Sequence, residues 1–135
     1  LRVKKENNDM KRAPARSRVA VLGASPKEDR YSFKAVQMLK ENGHTPIPVH
    51  PAGHAVDGVA GVKSLADIHE PIDTVTVYVN ASISDGEYER IIRLKPRRVV
   101  FNPGAENDDL AKRLEDEGIE VVKACTLVLL RTDQF

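Results

Sequence analysis

The chain has 135 residues, 41% hydrophobic and 30% charged, with a formal net charge of +1, which suits one globular domain and excludes two. Aromatic content is 4% and Trp is absent, so the core must be built from Val, Ile, Leu and Ala. One cysteine, Cys125, rules out an intramolecular disulfide and favours a reducing compartment.

Residues 1–18 hold seven Lys/Arg against Glu6 and Asp9, which leaves 14 basic and 18 acidic residues for the remainder. Residues 1–17 therefore read as a basic, flexible extension, and residues 18–135 as the folded domain. No apolar run approaches the ~20 residues of a membrane span. A cytoplasmic protein with no membrane or nucleic-acid partner is expected.

Arg18–Leu22 is a short apolar run ending at Gly23, the pattern of a buried first strand. Phe33, Val36 and Leu39 then give helical spacing between Tyr31 and Asn42, with Gly43 as a stop signal. Thr45–His50 reads as a second strand, made short or irregular by Pro46 and Pro48. Pro51–Val62 is a loop, and Ser64–Ile68 suits a single helical turn.

Ile72–Val79 is rich in β-branched residues and predicts a third strand. Ser84-Asp85-Gly86-Glu87 has capping-box spacing and predicts a helix carrying Tyr88, Ile91, Ile92 and Leu94. Arg98–Phe101 follows as a fourth strand. Asn107 opens a helix through Glu117, and Ile119–Val122 forms a fifth strand. Thr126–Leu130 is a last apolar segment, suited to a sheet edge or an interface, which leaves self-association open.

Strands alternating with helices predict an α/β fold, a Rossmann-like three-layer sandwich with a mostly parallel sheet of five or six strands. Ligands of such sheets bind beyond the carboxyl ends of the strands. That rule selects Gly23-Ala24-Ser25, His50-Pro51, Asn80-Ala81-Ser82, Asn102-Pro103-Gly104 and Cys125. Gly23 lets an anion approach the main chain, and the helix that follows points free N–H groups at it, so phosphate is the natural ligand. Gly23 is the only glycine of that turn, and His50 stands where an NAD site carries an acid. Both features argue against a dehydrogenase.

Val21-Leu22-Gly23-Ala24-Ser25, Arg30-Tyr31, Pro48-Val49-His50-Pro51 and Phe101-Asn102-Pro103-Gly104-Ala105-Glu106-Asn107 occur in one order along the chain. Together they resemble the small stand-alone CoA-binding domain proteins. The same set is similar to the CoA-binding domain of succinyl-CoA synthetase α subunits and ADP-forming acyl-CoA synthetases. The resemblance runs from about Arg18 to Leu130.

It implies a Rossmann-type fold with coenzyme A, free or acylated, as ligand, its phosphates at Gly23, Ala24, Ser25 and Arg30. Lys27 and Tyr31 flank that loop. Pro51 and Tyr78, Val79 and Asn80 are implied on the adenosine side, with Gly104 at the end of the fourth strand. The family often carries Asn where His50 stands, which leaves that contact open.

A non-catalytic CoA-binding protein is expected, partnered by CoA and by an acyl-CoA enzyme. Alternatives are a small enzyme acting on a CoA thioester, or an adenine-nucleotide or NAD-binding regulator. No catalytic set stands out. His50 and His54 are four residues apart without a helix to align them, and no metal site is expected. Cys125 is either a buried structural thiol or one that faces the crevice.

Overall fold

The computed structural model describes residues 12–135. Five strands form one sheet: β1 (Arg18–Leu22), β2 (Thr45–Val49), β3 (Thr74–Val77), β4 (Arg98–Phe101) and β5 (Glu120–Lys123). Every pairing is parallel and the order is β2-β1-β3-β4-β5. Strand order reverses between β1 and β3, so the topological crevice opens there, at the carboxyl ends.

The inner strands β1, β3 and β4 are buried on both faces because helices cover both. On one face α1 (Tyr31–Glu41) and α5 (Thr126–Arg131) set Phe33, Val36, Leu39, Leu129 and Leu130 against Val19, Val21, Val100 and Val122. On the other, α3 (Tyr88–Leu94) and α4 (Asp108–Asp116) set Ile91, Leu110 and Leu114 against Ala20, Leu22, Val75, Val77 and Phe101. Alternation within β1 thus feeds two cores from one strand.

The prolines of β2 are tolerated because it is an edge strand. Thr45 N–H donates to the Ser17 carbonyl, so Thr45, Ile47 and Val49 turn their N–H groups to β1 while Pro46 and Pro48 face outward. Val62 N–H donates to the Pro48 carbonyl and covers part of that edge.

Several boundaries differ from the sequence reading. β3 pairs only over Thr74–Val77, shorter than Ile72–Val79. The helix after it begins at Ala81, not Ser84. Asn80 caps α2 (Ala81–Ser84) by accepting the Ile83 N–H, while Ser84 is buried and makes no cap. A 3₁₀ turn, Asp85–Glu87, then leads into α3. Thr126–Leu130, read from the sequence only as an apolar segment, lies in α5, and the sheet has five strands.

Of the expected tail, residues 1–11 lie outside the described residues. Residues 12–17 dock on the body: Ala13 N–H donates to the Phe135 carbonyl at 2.7 Å, and Ser17 N–H donates to Nδ1 of His44 at 3.1 Å. No helix among the described residues is long and apolar enough to cross a membrane.

Candidate functional site

The turn after β1 is fixed by bonds to its neighbours. Gly23 and Ala24 both donate their N–H groups to the Val49 carbonyl, at 2.9 and 3.2 Å, and Ser25 N–H donates to the Ser32 hydroxyl at 3.0 Å. Ser25 Oγ in turn accepts the Lys27 N–H at 3.1 Å. The three amides of Gly23-Ala24-Ser25 are therefore used within the protein. Sequence reasoning could not see this, because Val49 and Ser32 lie elsewhere in the chain.

The donors left over belong to α1. Its cap residue Arg30 has an extended backbone and makes no side-chain cap bond, and no acid stands in the first turn. The first N–H accepted within the helix is that of Lys34, by the Arg30 carbonyl. The amides of Tyr31, Ser32 and Phe33 are thus left without a partner inside the helix, at the positive end of its dipole. Arg30, Lys27 and Lys34 add cations around this point, and the Lys34 ammonium lies 5.8 Å from the centre of the exposed Tyr31 ring.

Gly23 serves a different need from the one its position suggested. Its φ is +91°, and a Cβ there would meet Val79 Cγ1 at 2.7 Å and the backbone of Tyr78 and Val79 at 3.3 Å. The missing side chain lets the end of β3, rather than a ligand, approach. Gly23, Tyr78 and Val79 are brought together by this contact.

The remaining residues are spread along the same rim. Asn80 is exposed, with its carbonyl oxygen occupied by the Ile83 N–H and the Ser82 hydroxyl. Pro51 is exposed in the turn after β2. Gly104 lies beyond β4, separated from β1 by β3, and gives its N–H to Glu106 at 2.9 Å.

The structure also joins residues the sequence left apart. His54 Nε2 lies 3.0 Å from the Ala24 carbonyl, and the His50 and His54 rings stack with centroids 4.5 Å apart. A local signal for this existed. His50-Pro51-Ala52-Gly53 places Pro and Gly where a β-turn favours them, and Gly53 N–H donates to the His50 carbonyl at 2.7 Å.

Below the rim a buried polar knot holds the strand ends. Asn102 donates to Thr76 Oγ1 at 2.7 Å and to the Val77 carbonyl at 2.9 Å, and accepts the Thr126 N–H at 2.8 Å. Thr76 and Thr126 share a 2.7 Å hydroxyl bond. Burial pushes the neighbouring Tyr78 phenol up, opposed by Thr126 and Thr76, whose hydroxyls it approaches without good hydrogen-bond geometry. Cys125 precedes α5 beside it without making a side-chain cap bond, and is partly exposed, not fully buried.

Phosphate oxygens suit the uncapped α1 start, which offers convergent N–H donors, the Ser25 hydroxyl and nearby cations. Two surface hollows, of about 460 and 630 Å³, lie elsewhere, against α4 and β5 and against α3. An anion held by main-chain donors needs no deep cavity.

These features define a Rossmann-like α/β protein whose strand order reverses between β1 and β3. The chain belongs to the CoA binding domain family, whose model matches residues 17–131. It is 30% identical to the uncharacterized protein YneT of Bacillus subtilis (strain 168) over 105 residues, 78% of each chain. A crystal structure of an uncharacterized protein superposes with a TM-score of 0.85 at 41% identity, covering 90% of this chain and all of the other. The dinucleotide-forming acetyl-coenzyme A synthetase 1 of Ca. Korarchaeum cryptofilum shares the fold, with a TM-score of 0.70 at 16% identity. That match covers 82% of this chain and 26% of the synthetase.

Proposed function

We propose that the protein binds coenzyme A or an acyl-CoA without turning it over, with the phosphates at the start of α1. The observation that carries this reading is the α1 N-terminus, with neither a side-chain cap nor an acid, set at the β1/β3 reversal. Buried helix ends without partners are uncommon, and a partly open one aimed at a crevice is matched by an anion. Family membership supports CoA as that anion.

In this reading Tyr31, Ser32 and Phe33 supply main-chain donors and Ser25 supplies a hydroxyl. Arg30 supplies a planar fork suited to two phosphate oxygens. Gly23 and Ala24 act by holding the turn on β2 and β3 rather than by donating. His50 at the end of β2, in place of an acid, disfavours the ribose hydroxyls of NAD.

Calorimetry with CoA, acetyl-CoA, NAD and ATP at matched salt tests the proposal. CoA should bind, and Arg30→Ala should weaken it by about 1.5–3 kcal/mol, the range for hydrogen bonds to charged groups. Binding of NAD without CoA would refute the reading. Release of free thiol from acetyl-CoA would replace it with an enzyme.

A further inference from the structure

The two edges of the sheet are finished differently. At β2, Pro46 and Pro48 face outward and the Val62 N–H covers the Pro48 carbonyl, so that edge offers a strand little to pair with. At the other edge, β5 pairs only with β4 among the described residues. Glu120 N–H donates to the Arg97 carbonyl and Ala124 N–H to the Phe101 carbonyl, both at 3.1 Å. By strand alternation Glu120, Val122 and Ala124 turn their main chain to β4, while Val121 and Lys123 turn theirs away from the sheet.

The surroundings of that edge are built to receive something. Val121 packs on the α4 side of the sheet and Val122 on the α5 side. A hollow of about 460 Å³ opens on the α4 side, lined by Asp108, Ala111, Lys112, Glu115, Val121 and Lys123. The Lys123 ammonium reaches Asp108 at 2.5 Å, and Lys112 pairs with Asp116. Glu115 makes no ion pair among the described residues.

The edge is complementary to itself. In antiparallel pairing with Val122 opposite its own copy, Val121 faces Lys123 and Lys123 faces Val121. Both pairs have outward N–H and carbonyl groups, and two bonds in each make four. No charge meets its like, since Glu120 then faces Ala124. The Lys123 side chain of the second copy falls beside Val121, in the hollow that holds Glu115. Neighbouring registers do worse. Centring on Lys123 sets two ammonium groups face to face. Centring on Val121 pairs Lys123 with Ile119, whose N–H already serves the Leu114 carbonyl.

We infer that the open edge of β5 is a docking surface for a second copy of this chain. The two copies join antiparallel about Val122 across a closed two-fold, and their five strands each continue as one sheet. The partner's lysine supplies the cation that Glu115 lacks in the single chain.

The test is sedimentation velocity of the whole chain over a range of concentrations, with hydrogen exchange of the same samples. The chain should pass from its own mass to twice that mass. The Val121 and Lys123 amides should gain protection as it does so, while Val122, bonded within the sheet, stays protected throughout. Val121→Pro removes only an outward N–H, as Pro46 and Pro48 do at β2, and should fold yet remain single at every concentration. Glu115→Lys, a surface change, should weaken association by about tenfold, because the two-fold repeats the loss at both ends of the interface. A chain that stays single at all concentrations overturns the inference. So does a dimer that leaves the Val121 and Lys123 amides unprotected or forms equally well in Val121→Pro. Should Val121→Pro fail to fold, Glu115→Lys decides, and association as strong as the parent's overturns the inference.

Discussion

Replacing Gly23 by Ala tests whether the β1 turn needs glycine for its own geometry. Two costs can be worked from the structure. A side chain at φ +91° is strained by about 1–2 kcal/mol. The new Cβ would also stand 2.7 Å from Val79 Cγ1 and 3.3 Å from the Tyr78 carbonyl carbon and the Val79 nitrogen. The methyl group can turn aside but the strand end cannot, which places overpacking near about 1 kcal/mol, the low end of its range. Gly23→Ala should therefore lose about 2–3 kcal/mol, read as a lower urea midpoint with an unchanged slope. Adding Val79→Ala removes the close contact and leaves the backbone strain. The double variant should then be about 1 kcal/mol more stable than the sum of the single effects predicts. A Gly23→Ala protein within about 0.5 kcal/mol of the parent, the scatter of neutral surface changes, would refute this account of the turn.

Asn102→Ala should cost about 2–4 kcal/mol in urea unfolding, since it strands the buried Thr126 N–H and breaks the bond to Thr76; a loss below about 1 kcal/mol would deny the knot its structural role. Arg98 is fully buried, with Nε on Thr74, both terminal nitrogens unpartnered and its guanidinium 4.4 Å from the Phe135 ring centre. Burial, then repulsion from Arg97, brings it down to about 10 despite Asp73 and Glu120. Arg98→Met should be neutral or stabilising by about 1 kcal/mol, and a loss above about 2 kcal/mol would reveal a compensating partner. His44 is held below its usual value by burial and by Arg98, against the pull of Asp73. The folded chain then binds fewer protons than the unfolded one, so this stability is complete above about pH 6.5 and is lost as pH falls below it. Urea midpoints at about pH 7 and about pH 5 should converge in His44→Gln, which keeps an acceptor for Ser17 N–H; an unchanged difference would exonerate His44.

What the sequence disclosed follows from how local each signal is. The run ending at Gly23 marks β1, and Phe33, Val36 and Leu39 mark α1, because burial on one face writes itself at short spacing. The start of α2 was misread because Ser84-x-x-Glu87 satisfies a local rule that a nearer cap, Asn80, pre-empts. Ser84 Oγ instead accepts from the amide of Asn107, at 2.9 Å, across 23 positions of sequence. The fold family was legible for the same reason of locality. The donors themselves were not, since Val49 and Ser32 claim the amides of the Gly23-Ala24-Ser25 turn only after β2 and α1 have packed.

That internal use changes what the turn can contribute. One carbonyl, that of Val49, accepts from both Gly23 and Ala24, and the Ala24 carbonyl meets His54. Ser25 is tied to α1 through Ser32, and Gly23 abuts Val79 with no room for a side chain. The turn is thus bound to β2, β3 and α1 before any ligand arrives. A loop held from three sides has little conformational freedom left to lose, so the α1 donors are presented at small entropic cost.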